Sequence, residues 1–211
     1  MIDLYAVTDD PAPPLPDVAG LSAVASHGLA LVCGPAAGDE LTPDVLWRHE
    51  EVVEALMEDR DLLPVRFGTR VHDETAAARA LGERHRELAE ALEKVRGAVE
   101  LSLRVRGERR RDDSESDETV TSGAAYLRAR ARAVEAQEDV RRTVHRPLAA
   151  IARASRQLPA REPTELLRAA YLVDRGAVSV FTDDVARLQQ AHPELRLLCT
   201  GPWPPYSFSE S

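Results

Sequence analysis

The C-terminal tail, residues 201–211 (GPWPPYSFSES), constrains the fold more than any other stretch of the sequence. Proline lacks the N–H group that a helix or a central strand needs, so the tail is predicted to be extended and close to polyproline in conformation. An aromatic ring buries on the order of 150–250 Å² when it packs, so rings left in water would make this segment adhesive. We therefore predict that the tail packs between two domains; the alternative is that it contacts a partner. The residues expected to make these contacts are Trp203, Pro204, Pro205, Tyr206 and Phe208.

Upstream of the tail, strand-like and helix-like patterns alternate twice along the chain, which predicts two α+β domains. The first is expected over residues 1–97 and the second over residues 98–200. The second domain is predicted to run strand, helices, strand, helix, strand. A chain of 211 residues is long enough to bury either one large core or two small ones.

The first domain is predicted to open with a strand at residues 2–7 and a β-hairpin over residues 21–33. The two hairpin strands are joined by Ser26-His27-Gly28, where glycine can supply the positive φ of a tight turn. Thr42 followed by Pro43 has the pattern of a helix start. The next apolar positions recur at helical spacing and predict one buried stripe: Val45, Leu46, His49, Val52, Val53, Leu56 and Met57.

His49 lies inside that stripe, which favours a core histidine hydrogen-bonded to a neighbour over a catalytic role. Residues 61–71 (DLLPVRFGTRV) are predicted to form one strand, with Phe67 on its apolar face and Arg66 on the other. We include His49, Arg66 and Phe67 among the candidate contact residues. One helix is expected from residue 74 to about Gly97, and a half-buried strand from residue 99 to residue 106.

The second domain continues with a surface loop over residues 107–123, where a basic triplet is followed by acids and serines. A long helix is predicted from Ala124, with a narrow stripe of mostly small residues that lets another element approach closely. A further helix is expected from Pro147 to about Gln157. A strand at residues 167–173, a helix from Val178 to Leu188 and a strand at residues 195–200 complete the prediction.

Composition excludes several classes of function. The net charge of −9 argues against a general nucleic-acid or anionic-membrane binder, and no apolar run approaches the ~20 residues that span a bilayer. The N-terminus lacks the pattern of a signal peptide, so a cytoplasmic protein is expected. Cys33 and Cys199 lie in apolar runs and are predicted to be thiols, too few for a cysteine-rich zinc site. We expect no cofactor, no metal and no catalytic residue.

Six segments, spread in order over nearly the whole chain, make the sequence similar to the gas vesicle protein F/L family. The two specific ones are LPVRFGT at residues 63–69 and GPWPPYSF at residues 201–208. The acidic, serine-containing stretch from Arg111 to Glu118 departs from the family pattern. The remaining segments are Leu4-Tyr5-Ala6-Val7, the helix from His49 to Val53, Gly123-Ala124-Ala125-Tyr126-Leu127 and Ala170-Tyr171-Leu172-Val173.

This resemblance implies a non-enzymatic accessory or minor structural protein of gas vesicle assembly. It also implies that the second domain is a modified ferredoxin-like unit with extra helices, and that the tail ties the two domains together. The expected partners are the small hydrophobic shell protein GvpA, met at nucleation or on the gas-facing wall, and other gas vesicle accessory proteins. The expected location is the gas vesicle, with a cytoplasmic stage during assembly.

Two other classes of function are weighed beside this one. A ferredoxin-like module could bind a small ligand in a cleft lined by Arg66, Arg70, Arg104 and Arg106. An enzyme could use His49 or His72 with a nearby acid, which requires a polar pocket around either ring. A packed His49 would count against catalysis at that residue.

Overall fold

The structure is a computed structural model, and its residues form two compact units. One unit comprises Met1–Glu100 with Trp203–Ser211, and the other comprises Leu101–Pro202. Each unit combines strands with helices, so the predicted α+β class is confirmed. The packing of the tail between two domains stays a prediction. The described residues are 1–10, 14–18, 20–36, 42–107, 123–162 and 164–209.

The N-terminal unit is built on a mainly antiparallel sheet. Its described elements are β1 (Ile2–Asp9), β2 (Ser22–Ser26), β3 (Leu29–Pro35), α1 (Pro43–Met57), β4 (Leu62–Pro64), β5 (Arg70–Val71), α2 (Glu74–Glu83) and α3 (His85–Val95). The strand order is β2-β3-β1-β4, and β5 also pairs with β1. The core of this unit is a cluster of Tyr5, Ala6, Val32, Val52, Val53, Leu56 and Leu62.

The predicted hairpin is confirmed. β2 and β3 pair antiparallel, with Ser26 opposite Leu29, so the turn consists of His27 and Gly28. Both turn residues have positive φ, 55° and 83°, which is the backbone of a two-residue turn that matches strand twist. The predicted start of α1 is also confirmed, because the Thr42 side chain accepts a hydrogen bond from the Val45 N–H and Pro43 occupies the first turn.

Residues 61–71 do not form one strand. Leu62, Leu63 and Pro64 are all buried in β4, which the predicted alternation of faces does not allow. The chain then turns at residues 66–69, where the Thr69 N–H donates to the Arg66 carbonyl at 3.1 Å and Gly68 has a φ of 81°. Both β4 and β5 pair with β1, so one apolar run supplies two short strands to the same neighbour.

Two predictions for the helices of this unit need correction. The single helix expected over residues 74–97 is two helices, because Arg84 leaves the helical backbone with φ −109° and ψ 13°. His85 follows that break, and its Nε2–H donates to the His27 carbonyl at 2.9 Å. Leu46 was expected in the buried stripe of α1 but is 40% exposed. In contrast, His49, Val52, Val53 and Leu56 are buried as predicted.

The C-terminal unit is built on a four-stranded sheet. Its elements continue as β6 (Ala98–Gly107), α4 (Gly123–Val140), α5 (Arg146–Ile151), β7 (Ala154–Gln157), β8 (Glu165–Asp174), α6 (Val178–Ala191) and β9 (Leu195–Trp203). The first three residues of β6 and the last residue of β9 belong to the N-terminal unit. The strand order β7-β8-β6-β9 is consistent with the ferredoxin-like arrangement. The largest fully buried side chains of its core are Leu101, Leu103, Leu148, Tyr171 and Phe181. The predicted helix after Val178 and the strand at residues 167–173 are confirmed.

A π-helical turn, Arg141–His145, joins α4 to α5. Pro147 has no N–H to offer the preceding turn, and the Arg146 N–H bonds to the Arg141 carbonyl five residues back. The helix expected to reach Gln157 ends at Ile151, because residues 154–157 pair with β8 instead. The small-residue stripe of α4 is also corrected, since Ala133 is exposed and, among the side chains of this helix that the structure describes, Val140 alone is buried.

The tail is less extended than predicted. β9 continues through Trp203, and Tyr206–Phe208 form a single 3-10 turn after Pro204 and Pro205. The predicted surface loop falls almost entirely on residues 108–122, which lie outside the described residues. Cys33 and Cys199 are free thiols, as expected. No helix in the described ranges is long and apolar enough to cross a membrane.

Candidate interaction site in the N-terminal unit

The tail is anchored to its own unit through a buried carboxylate. Glu100, at the start of β6, is 6% exposed and accepts two hydrogen bonds from Ser207. The backbone N–H of Ser207 donates at 2.7 Å and its hydroxyl donates at 2.8 Å, each to a different carboxylate oxygen. Hydrogen bonds to an ionised group are stronger than neutral ones, so this contact fixes the 3-10 turn in one place.

Tyr206 provides the second anchor. Its ring packs against the core cluster of the unit, and its hydroxyl donates to Glu50 Oε1 on α1 at 3.3 Å. Burial raises the pKa of the Tyr206 phenol, and the negative charge of Glu50 raises it further. Burial also raises the pKa of the Glu50 carboxyl, although the bond from Tyr206 opposes this shift. Tyrosine is therefore the proton donor in a pair that is partly withdrawn from water.

The candidate residues of the tail differ in their surroundings. Pro204 and Pro205 are buried, Tyr206 and Phe208 are half-buried, and Trp203 keeps 41% of its surface exposed. Trp203 is therefore the most exposed of the three rings, and its expected contact stays a prediction. The turn is held internally, because the Phe208 N–H donates to the Pro205 carbonyl at 3.0 Å.

His49 is a packed core histidine, as predicted. Its side chain is 4% exposed, and its Nε2–H donates to the Val65 carbonyl at 3.0 Å. The ring stacks on Tyr5 with centroids 5.1 Å apart and meets the edge of Phe67 at 5.5 Å. The structure thus brings two candidate residues, His49 and Phe67, into one aromatic cluster. Burial lowers the pKa of His49, and the bond to Val65 offsets part of that shift.

We expect the free energy of unfolding to fall as the pH drops from about 6.5 to 5.5. Burial lowers the pKa of both His49 and His145 below the usual 6.5, so in this window the unfolded chain binds more protons than the folded chain. Stability therefore rises with pH and is complete above the unfolded value, with a slope of up to about 1.4 kcal/mol per pH unit for each histidine. Urea unfolding at a series of pH values measures this slope.

The variants for this pH experiment are His49→Gln and His145→Gln, and each should flatten the pH slope. An unaltered slope in both buried-histidine variants would contradict the assignment.

A cleft of about 500 Å³ adjoins β4 and the tail. Among the described strands, β4 ends the order β2-β3-β1-β4, and its residues Leu63 and Pro64 line this cleft. The walls combine apolar side chains with two arginines; Arg66 is exposed, and Arg84 bonds to Glu87 at 2.5 Å. The lining residues are Val7, Leu63, Pro64, Val65, Arg66, Thr69, Arg84, Leu88, Tyr206 and Ser209. Arg66 and Tyr206 thus lie on one surface.

The family model for gas vesicle synthesis protein GvpL/GvpF matches residues 3–210. The chain belongs to this gas vesicle family. Its role is therefore that of a gas vesicle accessory protein, and its expected location is with gas vesicles. Gas vesicle protein L from Streptomyces sp. (strain CB03234) is 30% identical over 191 residues, covering 79% of this chain and 69% of that protein. Gas vesicle protein F2 of Halobacterium salinarum is 25% identical, covering 80% and 70%.

Solved structures of the family share the fold of this GvpL/GvpF member. The crystal structure of gas vesicle protein GvpF from Anabaena sp. PCC7120 matches with a TM-score of 0.83 and 20% identity, covering 100% of this chain and 96% of that one. GvpF from Microcystis aeruginosa matches with a TM-score of 0.75 and 19% identity, covering 100% and 99%. These likenesses establish the architecture of the GvpL/GvpF chain.

Sequence reasoning did not find the two acids that anchor the tail of this GvpL/GvpF protein. Glu100 stands at a position that strand alternation assigns to the solvent side, yet it is buried. Glu50 follows His49 on α1 and has no sequence signal that separates it from other helix acids. Their role depends on residues more than 100 positions away, which local periodicity does not report.

The arginines proposed for a small-ligand cleft are divided between the two units of the GvpL/GvpF chain. Arg70 forms an ion pair with Asp3 at 2.6 Å in the N-terminal unit. Arg106 pairs with Glu162 at 2.8 Å in the C-terminal unit. These two positive charges are thus already balanced by carboxylates. Arg66 lines the cleft beside β4.

Proposed function

We propose that this protein binds the hydrophobic shell protein GvpA during gas vesicle assembly and limits its aggregation. The match of residues 3–210 to the GvpL/GvpF family is the observation that carries the proposal. Binding takes place at the nucleation stage or on the gas-facing wall, and other gas vesicle accessory proteins are further partners. The protein acts as a carrier surface and needs no reaction centre for this task.

The cleft beside β4 is the surface that suits such a partner. Its apolar walls, formed by Leu63, Pro64, Val65 and Leu88, match an apolar segment that would otherwise aggregate in water. The outer side of an end strand can pair with an added extended segment, which satisfies the backbone of both chains.

The anchored tail supports this role by shaping one wall of the cleft. Tyr206 and Ser209 line it, and the bonds to Glu50 and Glu100 hold the turn that positions them. A wall fixed before binding loses less conformational freedom when the partner arrives. The net charge of −9 makes complexes of this protein with GvpA repel one another, which keeps them separate in solution.

We expect Leu88→Lys to weaken capture of GvpA by more than about ten-fold, since a buried lysine in an apolar contact loses its hydration. The measurement is co-purification of GvpA that is co-expressed with the tagged protein. Leu198→Lys is the matched control, because Leu198 is 53% exposed on the C-terminal unit and does not line the cleft. Equal losses in both variants would place binding elsewhere. No capture by the unaltered protein, with normal vesicles after gene deletion, would refute the proposal.

The stage of action is tested with a photoreactive amino acid at position 66. Crosslinks to GvpA in intact, purified vesicles are expected if the protein stays on the gas-facing wall. Crosslinks confined to early assemblies are expected if it acts only at nucleation. Position 198 serves again as the control site, because it lies on the other unit.

A further inference from the structure

The outer side of α1, in the N-terminal unit, carries a large apolar side chain in contact with solvent. Trp47 keeps 68% of its surface exposed, and the preceding Leu46 keeps 40%. The opposite side of the helix already supplies Val52, Val53 and Leu56 to the core, so the indole ring adds nothing to it. Tryptophan contributes strongly to binding when a partner covers its ring, so an exposed tryptophan on a folded unit indicates an interaction surface.

A row of acidic side chains follows Trp47 along the same side of the helix. Glu51 lies one turn after Trp47, and Glu54 and Glu58 continue the row at helical spacing; all three are exposed. Within the described part of the chain these three glutamates form no ion pair, and Arg48, the one lysine or arginine of α1, does not pair with them. We name this surface the tryptophan face; it consists of Leu46, Trp47, Glu51, Glu54 and Glu58.

The placement of these acids weakens α1 in the protein by itself. Glu54 lies within one turn of both Glu51 and Glu58, and like charges at this spacing repel one another. The last turn of α1 contains no basic residue, so the acids there face the negative end of the helix dipole. Burial raises the pKa of the Glu50 carboxyl, the bond from Tyr206 opposes that shift, and the charge of Glu54 adds to it. A cation held beside the row would relieve this repulsion.

The chemistry of the tryptophan face favours a cationic protein segment as its partner. Nucleic acids and anionic lipid surfaces carry phosphates, which a row of carboxylates repels. Lysine and arginine side chains bind carboxylates through charge-assisted hydrogen bonds, and a cation above an indole ring gains a further attraction. The row from Trp47 to Glu58 is about 17 Å long at the rise of an α-helix, which equals about three turns of a partner helix.

We propose that the tryptophan face binds a basic amphipathic helix of another protein, with a lysine or arginine at each turn. The cations of this helix pair with the three glutamates of the face, and one of them stacks on Trp47. An apolar side chain of the same helix covers Leu46. The inference is independent of the cleft beside β4, because no residue of the tryptophan face lines that cleft. Salt weakens such binding, since the glutamates are exposed.

The test uses a peptide of about 16 residues, long enough to form a helix, built from alanine and glutamine with three lysines and one leucine along one side. The receptor is the full-length protein with Trp203→Phe, so that Trp47 is its only tryptophan. The peptide should shift the Trp47 emission to shorter wavelength, because the ring leaves water. Glutamine in place of the three lysines should weaken binding by more than about ten-fold. Raising the salt from about 0.1 to 1 M should do the same, since the screening length falls from about 10 to 3 Å.

Glu51→Gln combined with Glu54→Gln should weaken binding of the lysine peptide by more than about ten-fold. The same pair should leave the urea midpoint of unfolding unchanged or higher, because it removes repulsion within α1. The matched control carries Glu83→Gln and Glu90→Gln, which remove the same charge from exposed positions of the same unit. No binding of the lysine peptide, or equal weakening by both pairs, overturns the proposal. Self-association in sedimentation that Glu51→Gln and Glu54→Gln abolish also overturns it, since the occupant would then be a second copy of this chain.

Discussion

Replacing Glu100 with alanine is expected to lower the free energy of unfolding of the N-terminal unit by about 3 kcal/mol. Glu100 is buried and accepts both the backbone N–H and the hydroxyl of Ser207. Hydrogen bonds to a charged group contribute about 1.5–3 kcal/mol each, and a donor left buried without a partner adds its desolvation penalty. The variant also removes the contact that holds the 3-10 turn of the tail.

Urea unfolding followed by tryptophan fluorescence measures the loss of stability in the N-terminal unit. Trp47 and Trp203, the two tryptophans of the sequence, both belong to the N-terminal unit. Glu100→Gln is the matched control, because its amide oxygen can still accept one bond, and it should lose only about half as much stability. Hydrogen exchange at Ser207 should accelerate in the alanine variant. A loss below about 1 kcal/mol with unchanged exchange would show that the tail is held by other contacts.

Replacing Tyr171 with alanine is expected to destabilise the C-terminal unit by about 3–5 kcal/mol, as for other large aromatic residues removed from a core. Its side chain is fully buried, and its ring lies 5.1 Å from that of Phe181. Its hydroxyl is hydrogen-bonded to His145 Nδ1 at 2.8 Å. Truncation therefore opens a cavity and leaves a buried imidazole without its partner. Far-ultraviolet circular dichroism in urea reports on the backbone of both units, so unfolding of the C-terminal unit, which has no tryptophan, is the part of that signal that tryptophan fluorescence does not follow.

Tyr171→Phe separates the two contributions. It keeps the ring and removes only the hydroxyl, so the expected loss is about 1–3 kcal/mol, the penalty for a buried polar group without a partner. His145→Gln combined with Tyr171→Phe should then cost less than the sum of the two single changes, because both remove the same bond. Full additivity would show that the bond between the two side chains contributes nothing to stability.

Secondary-structure elements that are determined by residues close together in the sequence could be predicted. The hairpin at His27-Gly28 follows from turn chemistry, and α1 follows from a capping threonine, a first-turn proline and a regular apolar stripe. α6 was also predicted, although its first residues resemble a strand. In each case the pattern and the final structure depend on interactions within a few residues. The family, too, could be inferred, because its specific segments survive in order along the chain.

Elements that depend on distant partners were predicted poorly. Residues 154–157 have the pattern of a helix end but become β7, because β8 offers a strand to pair with. The long helix before β6 breaks at Arg84, next to a histidine bonded to the β2–β3 turn. Glu100 follows the polar half of an alternating strand but is buried under Ser207. The hydrophobic periodicity of a strand indicates which face of the sheet each residue occupies. It does not indicate which residues from distant parts of the chain pack on that face.

The bond between Glu100 and Ser207 can form only late in the synthesis of the chain. Its two residues are 107 positions apart, so a ribosome working at about 5–20 residues per second needs roughly 5–20 s to deliver the second after the first. For that interval the nascent N-terminal unit lacks the piece that completes it. The entire C-terminal unit is translated in the meantime and is free to fold first. A chain interrupted before residue 207 would lack this bond, and its N-terminal unit would be less stable than that of the longer chain.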